Sequence, residues 1–309
     1  MDLDWLEDFL ALAERRTFSR AAEVRNVTQP AFSRRIRALE DWMGSPLFTR
    51  SAQGANLTPA GAQFEPAARE LMRDLHRARR ETRAAGARET ATLAIAATHA
   101  LSFTFFPGWI REAMRKTALG TLNLVSDSLE ACERILQSGE VHVLLCHLHR
   151  DAPLRLDADR YESLRVGHDV LAPFCAPDAA GRALWLLPGS VAHPIPVLAY
   201  SPASGLGRIL AACRTGEAAQ TETRFTSHLA ATLTTMAREG HGVAWLPHSM
   251  VSDDETHGRL VRAGPAQFDI PVEIRLFRSL DHRSPAADAL WSHLCAVSRV
   301  EDDNPVKPA

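Results

Sequence analysis

Apolar residues in the first fifty positions recur at helical spacing in three successive stretches. Trp5, Phe9 and Leu12, with Leu6, Leu10 and Ala13 beside them, predict a helix that ends near Arg16. Thr17-Phe18-Ser19 opens a short helix over 19–25, in which Ala21 and Ala22 allow close approach. After a tight turn at Asn26-Val27-Thr28, Phe32, Ile36, Leu39 and Met43 recur at steps of four, three and four, one stripe of a third helix. Thr28 is its predicted N-cap, and Pro30 sits in its first turn, where the missing N–H costs little. Gly44 is the expected C-cap. Beyond it, 47–50 and 55–58 flank Gly54 as two short strands of a β-wing. Helix, short helix, turn, helix is the helix-turn-helix plan, with its last helix placed to enter a DNA groove.

Thr58-Pro59 reads as the N-cap and first position of a further helix. Phe64, Ala68, Leu71, Leu75, Ala78, Thr82 and Ala85 then alternate steps of four and three, a heptad seam. The remaining surface carries Arg69, Arg73, Arg77, Arg79, Arg80 and Arg83, so a second copy of the chain is the expected cover, with packing on its own domain as the alternative. Pro66 removes an interior hydrogen bond and predicts a kink. Residues 84–90 read as the linker out.

From Thr92 strands and helices alternate. Strands are predicted at 93–98, 122–125 and 141–146, a helix capped by Ser102 runs through Met114, and a second helix covers 128–137 with Leu129, Cys132, Ile135 and Leu136 inward. A second set follows, with strands at 170–175, 197–200 and 243–246 and a helix over 227–239. The strand at 272–277 returns the chain to the first lobe, and a helix over 285–297 closes it. The alternation predicts a parallel-sheet α/β domain. The fold class is therefore α/β overall. A winged helix-turn-helix domain occupies 1–58, a linker helix 59–90, and a two-lobed domain 91–300. Lobe I takes about 91–168 and 270–300, lobe II takes about 169–269, and 301–309 is a tail expected to be disordered.

Composition narrows the class. Hydrophobic residues make up 46% and charged residues 23% of the 309, globular values that allow two or three domains. No stretch approaches a membrane span, and the acidic start lacks a signal-peptide pattern, so a cytoplasmic location without membrane contact is expected. Five scattered cysteines without a C-x-x-C pair indicate reduced thiols. The net charge of −2 hides a local asymmetry: from Glu14 to Arg50 there are eight arginines against Glu14, Glu23, Glu40 and Asp41. A small basic surface on a near-neutral chain suggests local contact with double-stranded DNA.

On the third helix the side opposite the apolar stripe holds Pro30, Ser33, Arg34 and Arg37, with Gln29 at its margin. Gln can bridge adenine, Arg can bridge guanine and Ser can serve either, so this face has the chemistry to read a major groove. An ordinary solvated helix face is the plain alternative. Arg50 on the wing would face phosphate, a contact that positions without reading sequence.

The run from Phe9 through F18-S-R-A-A, T28-Q-P-A-F-S-R-R-I-R-A-L-E, Gly44, P46-L-F-T-R and L57-T-P-A-G61 resembles the N-terminal domain of LysR-type transcriptional regulators over nearly sixty residues. Gly240-His-Gly242 with Leu246-Pro247 is similar to a stretch of that family's second subdomain. The resemblance implies a winged helix-turn-helix, a dimerising linker helix, a C-terminal effector domain of periplasmic-binding-protein type, a dimer or tetramer, and RNA polymerase as a candidate partner. Arg25 departs from the family, which usually carries Leu before the turn. With Arg25 and A-A-T-H-A-L-S at 96–102, the chain resembles the hypochlorite-responsive subgroup of LysR regulators.

Two lobes make a cleft, and strand ends beside helix N-termini suit polar ligands. Thr98, His99 and Ser102 in the first lobe and Ser201, Ser204, Ser227 and His228 in the second are the candidate effector contacts, with cap or turn roles as the alternative for each. If an oxidant is sensed, Met114, Met236 and Met250 and the five cysteines are the available sulfurs, although Met236 shares an apolar stripe with Leu229 and Leu233, and Cys132 and Cys146 read as core. His142, Cys146, His147 and His149 suggest a metal cluster, but alternation along a strand turns Cys146 away from His147 and His149, so no metal is expected. No nucleophile elbow, H-E-x-x-H, Walker A loop or dinucleotide glycine pattern is present, so neither an enzyme nor a cofactor is expected. The rival class is a solute-binding or enzymatic α/β protein whose N-terminal helices serve assembly.

Overall fold

The computed structural model describes residues 2–51, 54–86, 93–117, 119–213, 219–281 and 284–302. Contacts divide the chain into two units, Met1–Arg88 and Glu89–Ala309. No helix among the described residues is long and apolar enough to cross a membrane.

The first unit holds α1 (Leu3–Arg15), α2 (Phe18–Val24), α3 (Gln29–Met43), β1 (Phe48–Ser51), β2 (Gly54–Leu57) and α4 (Pro59–Gly86). Its core joins Leu6, Phe9, Leu12, Ala21, Ala22, Phe32, Ile36 and Leu39, the residues at the predicted helical spacing. Arg16 and Asn26 adopt left-handed backbone between the helices, and Gly44 does so after α3. Thr28 occupies the cap position of α3, but its side chain makes no capping hydrogen bond. Thr58 does cap α4, its Oγ1 accepting from the Gly61 amide at 3.0 Å while donating to the Pro46 carbonyl at 2.7 Å.

The seam predicted along α4 divides. Phe64 and Ala68, joined by Met72, pack into the helix-turn-helix core. Leu71 and Leu75, by contrast, stand 48% and 44% exposed. The seam therefore serves the unit's own core at its start, and its solvent-facing part begins a turn later. The helix runs unbroken past Pro66 to Gly86, three residues into the predicted linker.

The second unit opens with β3 (Leu93–Thr98), α5 (His99–Phe103), α6 (Phe106–Lys116), β4 (Leu122–Asp127), α7 (Leu129–Gln137) and β5 (Val143–Leu148). It continues with β6 (Tyr161–Cys175), β7 (Ile195–Tyr200), α8 (Gly205–Ala212), β8 (Thr221–Ser227), α9 (Ala230–Arg238), β9 (Ala244–Pro247), α10 (His248–Thr256), β10 (Val261–Arg262), β11 (Ile270–Ser279) and α11 (Pro285–Asp302). Strands β3, β4 and β5 are parallel, as expected, but β6, β9, β10 and β11 pair antiparallel, so the main sheet is mixed, in the order β10-β6-β11-β5-β3-β4. Strand β6 is fifteen residues long and runs from one lobe into the other beside β11. These two strands are the crossings between lobes.

Alternation along the strands separates two cores in lobe I. Leu93, Ile95, Ala97, Val143 and Leu145 face α6 and α11, whereas Ala94, Ala96, Leu144 and Cys146 face α7. Three expectations for helices change. Ser102 lies inside α5 rather than capping a helix, and the chain restarts as α6 after Phe105. Residues 221–227 form β8, and the helix expected from Ser227 begins at Ala230. Helices α8 and α10 join the predicted set. Helix α11 extends to Asp302, and the remainder of the expected tail lies outside the described residues.

Candidate functional site

The first candidate surface is the outer face of α3. Thr28, Gln29, Pro30, Arg34 and Arg37 are exposed and Ser33 is half-buried. Among the described residues neither Arg34 nor Arg37 meets a carboxylate. The arginine between them behaves differently. Arg35 reaches Asp4 at 3.3 Å and Asp8 at 3.5 Å. Arg25 donates from Nε to Asp8 at 2.7 Å and also pairs with Glu7 and Asp4. Burial disfavours the Arg25 charge, but Asp8 and Glu7 outweigh it and raise its pKa. Asp8, fully buried on α1, thus ties α1 to the end of α2 and to α3. The departure at Arg25 is a structural ion pair with the α1 acids Asp4, Glu7 and Asp8, whose pattern in the sequence does not mark them as its partners.

The wing is held to α3 by Glu40, whose Oε1 accepts from the amides of Leu47 at 2.8 Å and Phe48 at 3.1 Å. Across the wing, the Ala55 amide donates to the Arg16 carbonyl at 2.7 Å. A Cβ at Gly54 would lie 2.3 Å from that carbonyl oxygen, so the turn requires glycine. The wing strands pair as predicted; the Arg50 side chain lies outside the described residues.

The second candidate is a cleft between the lobes, about 400 Å³ including its open mouth. Thr98, His99, Ser204 and His228 line it, together with Asp127, Ser128, His147 and Gly205. Ser128 and Ser204 cap α7 and α8, so two helix N-termini open on the cleft. The rings of His99 and His228 stand 5.9 Å apart across it. Thr98 Oγ1 and His147 Nε2 are buried without a hydrogen-bond partner among the described residues. Ser102, Ser201 and Ser227 stand behind the lining. Ser102 Oγ bonds the His99 carbonyl and Ser126 Oγ, the Ser201 amide donates to the Ser227 carbonyl, and Ser227 Oγ accepts from the Leu229 amide. They shape the loops that carry the lining residues.

His147, by sequence a metal-ligand candidate, is turned into the cleft by the fold. Its Nε2 lies 3.7 Å from Asp169 Oδ2. Asp169 also accepts from Ser249 Oγ at 2.5 Å and from the Val170 amide at 2.7 Å. Burial pushes the Asp169 carboxyl up, but His147, Ser249 and the amide outweigh it and hold its pKa below the ordinary value.

All five cysteines are free. Burial drives the Cys132 thiol up to about 12 and the Cys146 thiol higher still, which makes both inert core residues. Of the candidate methionines, Met114 is 49% exposed. Met236 and Met250 pack on lobe II cores, and Met250 Sδ accepts from Thr234 Oγ1 at 3.4 Å.

A winged helix-turn-helix unit, with a second unit built as two α/β lobes around a cleft, defines a DNA-binding regulator with an effector-binding domain. Residues 3–62 match the family described as bacterial regulatory helix-turn-helix protein, lysR family, and residues 86–298 match the LysR substrate binding domain. The chain belongs to the LysR family of transcriptional regulators, which are not enzymes. It is 31% identical over 296 residues to the HTH-type transcriptional regulator YjiE of Escherichia coli, covering 95% of this chain and 94% of that one. Among similar solved structures, two that are each 29% identical are instructive. Full-length HypT from Salmonella typhimurium, a hypochlorite-specific LysR-type regulator, has a TM-score of 0.57 and covers 97% of this chain and 99% of that one. Vibrio fischeri DarR in complex with DNA has a TM-score of 0.56 and covers 96% and 98%.

Proposed function

We propose that the chain reads its operator through Gln29, Pro30, Ser33, Arg34 and Arg37 of α3, entered at Thr28, while Arg50 holds the wing to phosphate. The observation that carries this reading is the contrast within one helix: Arg35 is engaged by Asp4 and Asp8, whereas Arg34 and Arg37 stand exposed and meet no carboxylate among the described residues. Fluorescence anisotropy with DNA from upstream of the chain's own gene tests it. Arg34→Ala or Arg37→Ala should bring operator affinity toward that for random DNA, each good base contact being worth about 1–3 kcal/mol. Arg50→Ala should weaken all sequences alike and flatten the salt dependence. Unchanged operator binding in the Arg34 and Arg37 variants would remove the groove assignment. Pairing of chains through α4, a cytoplasmic location and contact with RNA polymerase belong to the same reading.

The cleft is the effector site in this reading, with Thr98, His99, Ser204 and His228 as ligand contacts and Ser102, Ser201 and Ser227 as their supports. The orphaned Thr98 Oγ1 favours a small polar ligand that supplies its hydrogen bond. A second reading places the chain in the hypochlorite-responsive subgroup. It is favoured by the exposure of Met114, more exposed than Met236 or Met250. Mild hypochlorite should then form sulfoxide at Met114 ahead of Met236 and Met250 and shift DNA affinity. Affinity that stays flat while Met114 oxidises would sink the redox version.

A further inference from the structure

His149 and Asp151 follow β5 in lobe I, and Cys213 ends α8 in lobe II; the three meet outside the lining of the effector cleft. Cys213 Sγ lies 3.3 Å from His149 Nδ1, and that nitrogen lies 3.7 Å from Asp151 Oδ2. One ligand atom from each residue falls within 4.8 Å of the other two. We infer that His149, Asp151 and Cys213 form a binding site for a zinc-type transition-metal dication that bridges the two lobes.

The His149–Cys213 and His149–Asp151 spacings are close to those around the ion, and the third is within 4.8 Å. With Zn–S near 2.3 Å and Zn–N or Zn–O near 2.0–2.1 Å, a tetrahedral centre separates its ligand atoms by about 3.3–3.6 Å. One thiolate, one imidazole and one carboxylate form a borderline-soft set that suits zinc or cobalt rather than calcium or magnesium. Asp151 is exposed, which leaves the fourth position to water. The thiolate is the ligand form of cysteine, so metal binding displaces the Cys213 thiol proton. His149 Nδ1 accepts from the Asp151 amide at 3.2 Å. Ligation through Nδ1 replaces that hydrogen bond, and the exposed amide turns to solvent.

The location gives the metal a consequence. Arg208 of α8 already pairs at 3.0 Å with Glu133 of α7, a buried carboxylate in lobe I. A metal at Cys213 adds a second tie between α8 and lobe I, while the other end of α8 lines the cleft through Ser204 and Gly205. Occupancy of the metal site would stiffen the junction between the lobes, whether or not the cleft holds an effector.

Titration of chelator-treated full-length protein with Co²⁺ in reducing buffer tests the site. One equivalent per chain should produce a thiolate-to-cobalt charge-transfer band that Zn²⁺ displaces. Cys213→Ser should abolish the band, and Cys295→Ser should retain it. His149→Gln and Asp151→Asn should each weaken binding by more than about ten-fold, the loss already seen when an outer-shell partner is removed. Circular dichroism checks the fold of each variant, and His149→Gln decides if Cys213→Ser fails to fold. Absence of the band in the wild-type chain, its survival in Cys213→Ser, or unchanged affinity in His149→Gln would overturn the site.

Discussion

Asp8 shows how a single buried charge can organise a recognition unit. Its carboxylate is fully enclosed, with Arg25 at 2.7 Å and Arg35 at 3.5 Å as its cationic neighbours. Arg25→Leu, the residue more usual at this position in the family, would leave Asp8 with the more distant Arg35 alone. Breaking a buried pair from one side costs about 3–5 kcal/mol; Arg35 remains as a partial counterion, so a loss of about 2–3 kcal/mol is expected. Asp8→Leu together with Arg25→Leu should recover most of that loss, because no uncompensated charge is left. Urea unfolding of the two variants measures both effects. Equal stability of Arg25→Leu and the parent chain would mean that Asp8 needs no second cation.

At the scale of elements, α4 divides between two tasks that a single heptad pattern conceals. Ala68 and Met72 are buried on the helix-turn-helix core, while Leu71 and Leu75 expose nearly half their surface. Leu71→Lys with Leu75→Lys should leave the unit folded and abolish assembly through α4, read as a fall in mass by sedimentation. Met72→Ala should instead lower stability by about 2–4 kcal/mol through loss of core packing. An unchanged mass in the double lysine variant would assign assembly to another surface. The apolar stripes of α1 and α3 were legible in the sequence because helical periodicity and burial coincide there. Arg25, Glu40 and Glu133 were not, because each acts on a partner 7 to 75 residues away that only the fold brings near. Helices α8 and α10 were missed for a related reason. The first opens with Gly205 and Gly207, poor helix formers, and the second, HSMVSDDET, offers only Met250 and Val251 to a core.

Across the second unit, Asp169 sits where β6 passes between lobes, facing His147 of β5 and bonded to Ser249 of α10. Cleft residues were found from sequence where strand ends carried a polar residue, as at Thr98 and His99. Asp127, His147 and the Asp169–Ser249 pair depend on how the two lobes meet, which periodicity does not encode. The lowered pKa of Asp169 gives this junction a pH signature. A carboxyl held below its unfolded value stabilises the fold fully above that value, about 3.9, and the contribution is lost as pH falls through the folded pKa. Asp169→Asn should therefore be less stable than the parent at neutral pH, and the gap should close as pH falls through the acid range. Thermal midpoints of the two proteins between pH 7 and pH 3 give the comparison, over about that window. A gap that stays constant down to the lowest pH would show that the amide loses hydrogen bonds but no charge-dependent stabilisation. A gap that closes would mark Asp169 as the ionised tie between the lobes.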